Sequence, residues 1–188
     1  MKTILIENPD KLYFVSDPHF GHTNIIKYTE RGFDSVEDMN RTLIANWNDT
    51  IDEDDTVFIG GDFCLGGTSE WVYFLSKLNG IKYLCEGNHD KGTPPMSYFK
   101  QVSTGWFNIR VKDPEVDGSE QRITVCHYPM LSWYQSHRGS WQLYGHTHRF
   151  TPKGVTANQL NICVENWDYA PISYLNVKIN ITRQHGRT

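Results

Sequence analysis

Short apolar runs that stop abruptly at polar residues punctuate the chain. Leu12–Val15 runs into Ser16-Asp17-Pro18-His19, Thr56–Ile59 into Gly60-Gly61-Asp62, and Ile81–Cys85 into Glu86-Gly87-Asn88-His89-Asp90. Residues 123–126 run into His127-Tyr128-Pro129, and 142–144 into Gly145-His146-Thr147-His148. Runs of this length predict buried strands. Between the first three lie segments with helical spacing. Val36, Met39, Leu43 and Trp47 fall on one face of an amphipathic helix, with Asp34 or Ser35 as its N-cap. A second helix is predicted over residues 69–78, stopped by Asn79-Gly80. Alternation of strand and helix predicts parallel βαβ units. From residue 105 onward the pattern predicts mostly strands, ending with 172–181, where apolar and polar residues largely alternate. This second half would complete a two-sheet, layered core. No repeat, low-complexity tract or linker divides residues 1–188, so a single domain is expected.

Composition narrows the functional classes. The net charge of -4 gives no general attraction to nucleic acid or to an anionic membrane, and the apolar runs are far too short to span a bilayer. Glu7, Asn8, Pro9 and Asp10 stand where a signal peptide would need an apolar core, which predicts a cytoplasmic protein. Cys64, Cys85, Cys126 and Cys163 show no C-x-x-C spacing and read as reduced, small core residues.

The chemistry gathers at the strand ends. In open α/β sheets, sites form where strand carboxyl ends converge, and here five such ends each deliver Asp, Asn or His. In extended backbone, residues i and i+2 share a face, so Asp17-x-His19 and His146-x-His148 would each present two ligands together. Asp62 and Asn88 each follow glycine, which permits a tight turn into a shared centre. Mixed oxygen and imidazole donors without thiolate suit Mn, Fe, Zn, Ni or Co, with Mn foremost. Asp17, His19, Asp62, Asn88, His127, His146 and His148 are too many for one tetrahedral ion and suit two. Two dications, offset by Asp17, Asp62 and a hydroxide, leave a net charge of about +1, favourable to a phosphate ester. Neutral Asn88 helps to keep that sum positive.

As an ordered set, Asp17-x-His19, Gly61-Asp62, Gly87-Asn88-His89-Asp90, His127 and Gly145-His146-Thr147-His148 resemble the five motifs of the calcineurin-like metallophosphoesterase superfamily. The stretch Asp17-Pro18-His19-Phe20-Gly21-His22-x-Asn24 is similar to a small bacterial and phage branch without extra domains. The resemblance implies an α/β fold, a four-layer α-β-β-α sandwich, with a dinuclear metal site at the strand carboxyl ends. It implies hydrolysis of a phosphodiester or phosphomonoester by a hydroxide bound to both metals. It assigns Asp17, His19 and His148 to one metal and Asn88, His127 and His146 to the other, bridged by Asp62. His89 would be the general acid, oriented by Asp90. The protein-phosphatase branch carries Asp-Arg-Gly after its Gly-Asp, whereas Phe63-Cys64-Leu65 follows Asp62 here, which argues against a phosphoprotein substrate.

Substrate contacts are expected from Asn88, from His22 just past the first motif, and from His137 and Arg138, in a segment expected to overhang the site. Thr23 and Asn24 starting a helix, and a solvated loop charge at Arg138, are the structural alternatives. Tyr128, Trp133, Tyr134, Trp141 and Trp167 offer base-stacking or packing surfaces. The expected partner is a small phosphate ester such as a nucleotide. A nuclease acting on DNA or RNA ends and a non-catalytic module with a structural metal centre are the alternatives; the acidic composition disfavours extended duplex binding.

Overall fold

The computed structural model describes residues 3–90 and 94–186. Part of the Asp90-to-Trp106 loop, residues 91–93, lies outside the described residues. Two five-stranded sheets pack face to face. One has the order β1 (Ile4–Ile6), β6 (Trp106–Lys112), β7 (Glu120–Cys126), β8 (Trp141–Tyr144), β9 (Gln159–Asn161). The other has the order β10 (Ile172–Ser173), β2 (Leu12–Val15), β3 (Thr56–Ile59), β4 (Ile81–Cys85), β5 (Gln101–Ser103). β2, β3, β4 and β5 are parallel, as are β7, β8 and β9; β6 and β7 form an antiparallel pair.

Between the sheets lies a core of Leu12, Phe14, Phe58, Phe107, Ile109, Val125 and Leu143. On the outer face of the second sheet, α1 (Ile25–Tyr28), α2 (Val36–Thr50) and α3 (Thr68–Leu75) bury a second core that includes Met39, Leu43, Trp47, Trp71 and Phe74. Ser35 caps α2, its side chain accepting from the Asp38 N–H at 3.1 Å. α3 starts one residue earlier than the spacing predicts and ends three earlier. Lys77 and Leu78 bond back to the carbonyls three residues before them, tightening the last turn.

Residues 174–181 are helical, not a strand. α4 (Tyr174–His185) begins at Ser173, whose side chain accepts from the Asn176 N–H, and buries Tyr174, Val177 and Ile181 at i, i+3 and i+7. Val177, Ile179 and Ile181 produce the alternation in the sequence, but only two of the three are buried, on the helical face. α4 packs against β9, β10 and β2, along the edge of the sandwich.

These elements make the expected α-β-β-α sandwich, with one thin outer layer. The outer face of the first sheet is crossed by the connection from β7 to β8. Its tether is Gln142, which donates to the Tyr128 carbonyl and accepts from the Met130 N–H. All four cysteines are buried and free. No helix among the described residues is long and apolar enough to cross a membrane.

Candidate metal centre

β2, β3, β4, β7 and β8 point their carboxyl ends at one place, and just past those ends the chain leaves ordinary strand geometry. Asp17, His19, Asp62, His146 and His148 all have left-handed backbone, with φ between 48° and 68°. The two ligand pairs therefore converge without the i, i+2 alternation of an extended strand. Each such residue costs of order 1–3 kcal/mol, a strain characteristic of functional sites. Parallel pairing continues past the strands and sustains it. The Asp17 N–H donates to the Gly61 carbonyl at 3.0 Å and the His19 N–H to the Asp62 carbonyl at 3.1 Å. Gly61 and Gly87 make this crossing possible: a Cβ on Gly61 would lie 2.7 Å from the Gly87 nitrogen and 2.8 Å from His127 Nδ1.

Asp62 sits at the middle of the cluster. Its Oδ1 accepts from the His89 N–H at 2.7 Å, while Oδ2 lies 3.6 Å from His19 Nε2 and 3.4 Å from His127 Nε2. Donor atoms of Asp17, His19 and Asp62 all fall within 4.8 Å of one another, as do those of Asp62, His127 and His146, and those of Asp17, His148 and Cys163. Asn88 joins the second group, with Oδ1 3.0 Å from His127 Nε2.

The residues fit divalent ions on two counts. Asp17 Oδ2 accepts from Ser16 Oγ, the His146 N–H and Cys163 Sγ, yet its buried Oδ1 has no hydrogen-bond partner; buried His19 Nε2 has none either. Those two atoms stand 3.7 Å apart, too far to bond each other and well placed to share a cation. Second, two imidazoles are fixed in the tautomer that frees Nε2. His127 Nδ1 donates to the Gly60 carbonyl at 2.9 Å and His148 Nδ1 to Glu165 Oε1 at 2.8 Å.

Electrostatics divides the cluster. Burial alone would raise the Asp17 pKa, but His19, His127 and His148 outweigh it and hold the carboxyl well below the usual carboxylate range. Burial also pushes His148 down, but the Glu165 carboxylate more than compensates and raises it. For His146, burial and then the neighbouring His127 leave the pKa lowered.

Glu165 and Arg31 escaped the motif reading. Both side chains are fully buried; Arg31 Nη2 donates to Glu165 Oε1 at 2.6 Å and to the Asp17 carbonyl at 2.7 Å, and Nη1 to the Pro18 carbonyl at 2.7 Å. Arg31 thus pins the backbone of the first motif to the carboxylate that orients His148. The two lie 134 residues apart, in segments with no local signature. Ser16 and Cys163, both on Asp17 Oδ2, were equally silent.

Of the other anticipated residues, His89 and His22 face the cluster, with ring centroids 5.4 Å from that of His19 in each case. Buried His22 Nδ1 has no partner, and burial lowers its pKa. Asn24 precedes α1 without a side-chain capping bond. Asp90 does not orient the His89 ring through any described contact. Its carboxylate accepts instead from the backbone N–H groups of Asp62, Phe63 and Gly87, at 2.7, 2.8 and 2.8 Å, clamping two motif loops together; burial is the main cause of its raised pKa. His137 and Arg138 are exposed on a 3-10 turn, Ser136–Arg138, just before β8 and near Gln121 at the start of β7. That is the amino end of both strands, opposite the cluster, so the segment does not overhang it. Tyr128 does face it, with its ring 4.7 Å from that of His146. Trp141 stacks on Tyr174 and Trp167 packs on the inter-sheet core.

The chain has relatives of similar sequence and fold. The chain is 33% identical to an uncharacterized protein of Methanocaldococcus jannaschii, covering 87% of this chain and 86% of that one. It is 28% identical to the gene 66 protein of Mycobacterium phage L5, over 82% and 86% of the two. Its fold matches the crystal structure of a protein of unknown function from Aquifex aeolicus, with a TM-score of 0.68 at 26% identity, over 89% of this chain and 97% of the other. The sequence profile of the calcineurin-like phosphoesterases matches residues 11–128, the stretch that runs from β2 through Asp17, Asp62 and Asn88 to His127. The chain belongs to the calcineurin-like phosphoesterase family.

Proposed function

We propose that this protein hydrolyses small phosphate esters, diesters or monoesters, at a centre of two divalent transition-metal ions, with Mn the foremost candidate and Fe, Zn, Ni or Co the others. The observation that carries this reading is the position of Asp62 Oδ2, between imidazoles of two donor groups and beside unpartnered Asp17 Oδ1 and His19 Nε2. Asp17, His19 and His148 would hold one ion and Asn88, His127 and His146 the other, with Asp62 shared. When bound, such a pair would supply Lewis acidity to the phosphate oxygens and would lower the pKa of a water nucleophile.

The chain's own groups do the rest. His89 projects from the loop after β4 with its backbone N–H tied to Asp62 Oδ1. Protonated, it hands a proton to the leaving oxygen, which would otherwise depart as a costly alkoxide. His22, beside it, donates to a non-reacting phosphate oxygen. Asn88 adds a neutral donor that leaves the positive charge of the centre intact. A depression of about 320 Å³ adjoins His148, lined by Tyr28, Thr29, Arg149 and Phe150. Exposed Tyr28 and Phe150 suit the organic portion of the ester, such as a nucleoside. The protein is read as acting in the cytoplasm.

The test is hydrolysis of bis-p-nitrophenyl and p-nitrophenyl phosphate by protein stripped of metal and reloaded with Mn. Loaded protein should turn over at least one ester. Asp62→Asn should reduce turnover to background, and His89→Ala should lower kcat by about 10²–10⁴-fold. Full turnover in both variants would refute the mechanism. Two bound ions with no turnover on any ester would instead favour a structural metal centre, and cleavage confined to labelled oligonucleotide ends a nuclease.

A further inference from the structure

The outer face of the first sheet carries a feature with no part in the metal chemistry. Arg110 on β6 and Arg122 on β7 stand directly opposite each other in register. Their strand neighbours Ile109 and Ile123 point into the inter-sheet core, so both arginines project outward. Like charges placed opposite in an antiparallel pair destabilise it, and little nearby neutralises these two. Arg110 Nη1 reaches Glu120 at only 3.4 Å, Arg110 Nε is buried with no hydrogen-bond partner, and among the described residues no carboxylate pairs with Arg122. Lys112, on the same face, is already paired with Glu7 at 2.7 Å.

A cavity of about 160 Å³ opens over the arginines, also lined by Thr3, Asn108, Thr124 and Tyr134. Next to it runs a mainly apolar groove of about 540 Å³, walled by Trp106, Met130, Leu131 and Trp133. Asn108, Thr124 and Tyr134 line both, and Thr124 Oγ1 donates to Asn108 Oδ1 at 2.9 Å across their shared floor. The groove falls within the volume usual for a small-molecule site, about 300–1,000 Å³, while the arginine cavity has room only for a small group. The aromatic wall is held in place: Trp133 Nε1 donates to the Ser140 carbonyl at 3.1 Å, and the Met130 carbonyl accepts from Gln159 Nε2 at 2.9 Å. Leu131, 94% exposed, and half-exposed Tyr134 rim it.

We propose that this face is a second ligand site, for a nucleoside monophosphate. The phosphate bridges Arg110 and Arg122, supplying the missing acceptor for Arg110 Nε, and the base lies against Trp106, Trp133 and Tyr134. Guanidinium forks suit phosphate oxygens, and aromatic rings accept any base face. The site lies on the opposite side of the first sheet from the inter-sheet core, and it does not depend on the hydrolytic reading.

The test uses full-length protein stripped of metal, so that phosphate binding at the metal centre is removed. Adenosine monophosphate, adenosine and inorganic phosphate are titrated separately by calorimetry and by tryptophan fluorescence. Saturable binding of the monophosphate at one site per chain is expected, with adenosine and phosphate each at least about tenfold weaker. Arg122→Ala and Trp106→Ala should each weaken it about tenfold, while metal-loaded variants keep their turnover of bis-p-nitrophenyl phosphate. Absence of saturable binding overturns the proposal, as does binding unchanged in both variants. Equal affinity for inorganic phosphate overturns the role of the aromatic wall. Binding of a single-stranded oligonucleotide without the mononucleotide replaces this ligand with nucleic acid.

Discussion

The two halves of the candidate metal centre are built differently. The half around Asp17, His19 and His148 is sunk in the protein and braced by charge. Asp17 and His19 are buried, His148 is oriented by Glu165, and Arg31 ties Glu165 to the backbone of the first motif. The half around Asn88, His127 and His146 is more open: His127 is buried, but His146 is exposed and Asn88 half-buried, and its described braces are the Gly60 carbonyl on His127, the Tyr128 hydroxyl on Asn88 and Asp17 Oδ2 on the His146 N–H. A cation held by the first half gains two carboxylates in a low-dielectric setting, whereas one held by the second shares only Asp62. On the proposed function, this difference predicts a division of labour, with one ion kept as part of the structure and the other exchangeable beside the substrate.

The largest effect should come from the brace. Arg31→Met leaves Glu165 buried without its cation, and urea unfolding of the metal-free protein should show a loss of about 3–5 kcal/mol. His146→Ala, in the open half, should change stability by less than about 1 kcal/mol. Equal losses would erase the distinction between the halves. Next, Glu165→Gln should weaken Mn binding about 10–100-fold for one ion while leaving the second within a factor of two, measured by calorimetry. Parallel weakening of both would mean that the halves act as one.

A smaller effect, remote from the centre, serves as the control. Asp113 accepts from Tyr174 Oη and Lys178 Nζ, both at 2.7 Å, tying α4 to the end of β6. Burial raises its pKa, but those donors outweigh burial and leave it lowered. A lowered folded pKa gives stability that is fully present above the unfolded value of about 3.9 and is lost as pH falls through the folded value. Asp113→Asn should therefore cost roughly 1–2 kcal/mol at pH 7 and progressively less as pH falls below 4, with Mn affinity unchanged. A pH-independent cost would show that the carboxylate charge has no role there.

Much of this was legible because sheets and metals leave local traces. Five apolar runs ending in Asp, Asn or His placed the strands and their chemistry together, and the i, i+3, i+7 spacing around Met39, Leu43 and Trp47 located α2. The failures share a cause, which is that tertiary partners decided the outcome. Val177, Ile179 and Ile181 alternate as a strand would, but Ser173 caps a helix whose buried face lies against the sandwich edge. His137 and Arg138 fall between two ligand motifs in sequence, yet the chain must return to the amino end of β8 before the next parallel strand, which carries them away. Asp90 reads as a partner of His89 because it is adjacent, whereas its carboxylate is taken by three backbone donors. Arg31 and Glu165 meet only in the folded chain.

The left-handed backbone at Asp17, His19, Asp62, His146 and His148 also bears on how this protein can change. Glycine occupies that conformation without steric penalty, so at these positions the most comfortable residue is one that cannot bind a metal. Selection for stability alone would favour glycine at the most exposed of them, His146. At His146, where burial contributes least, glycine should leave the metal-free fold as stable as the parent, or more so, while removing a ligand. On the proposed function, His146 is thus a place where the chain trades robustness for chemistry, and a screen for stabilising substitutions would rediscover it as a position that improves at the expense of turnover.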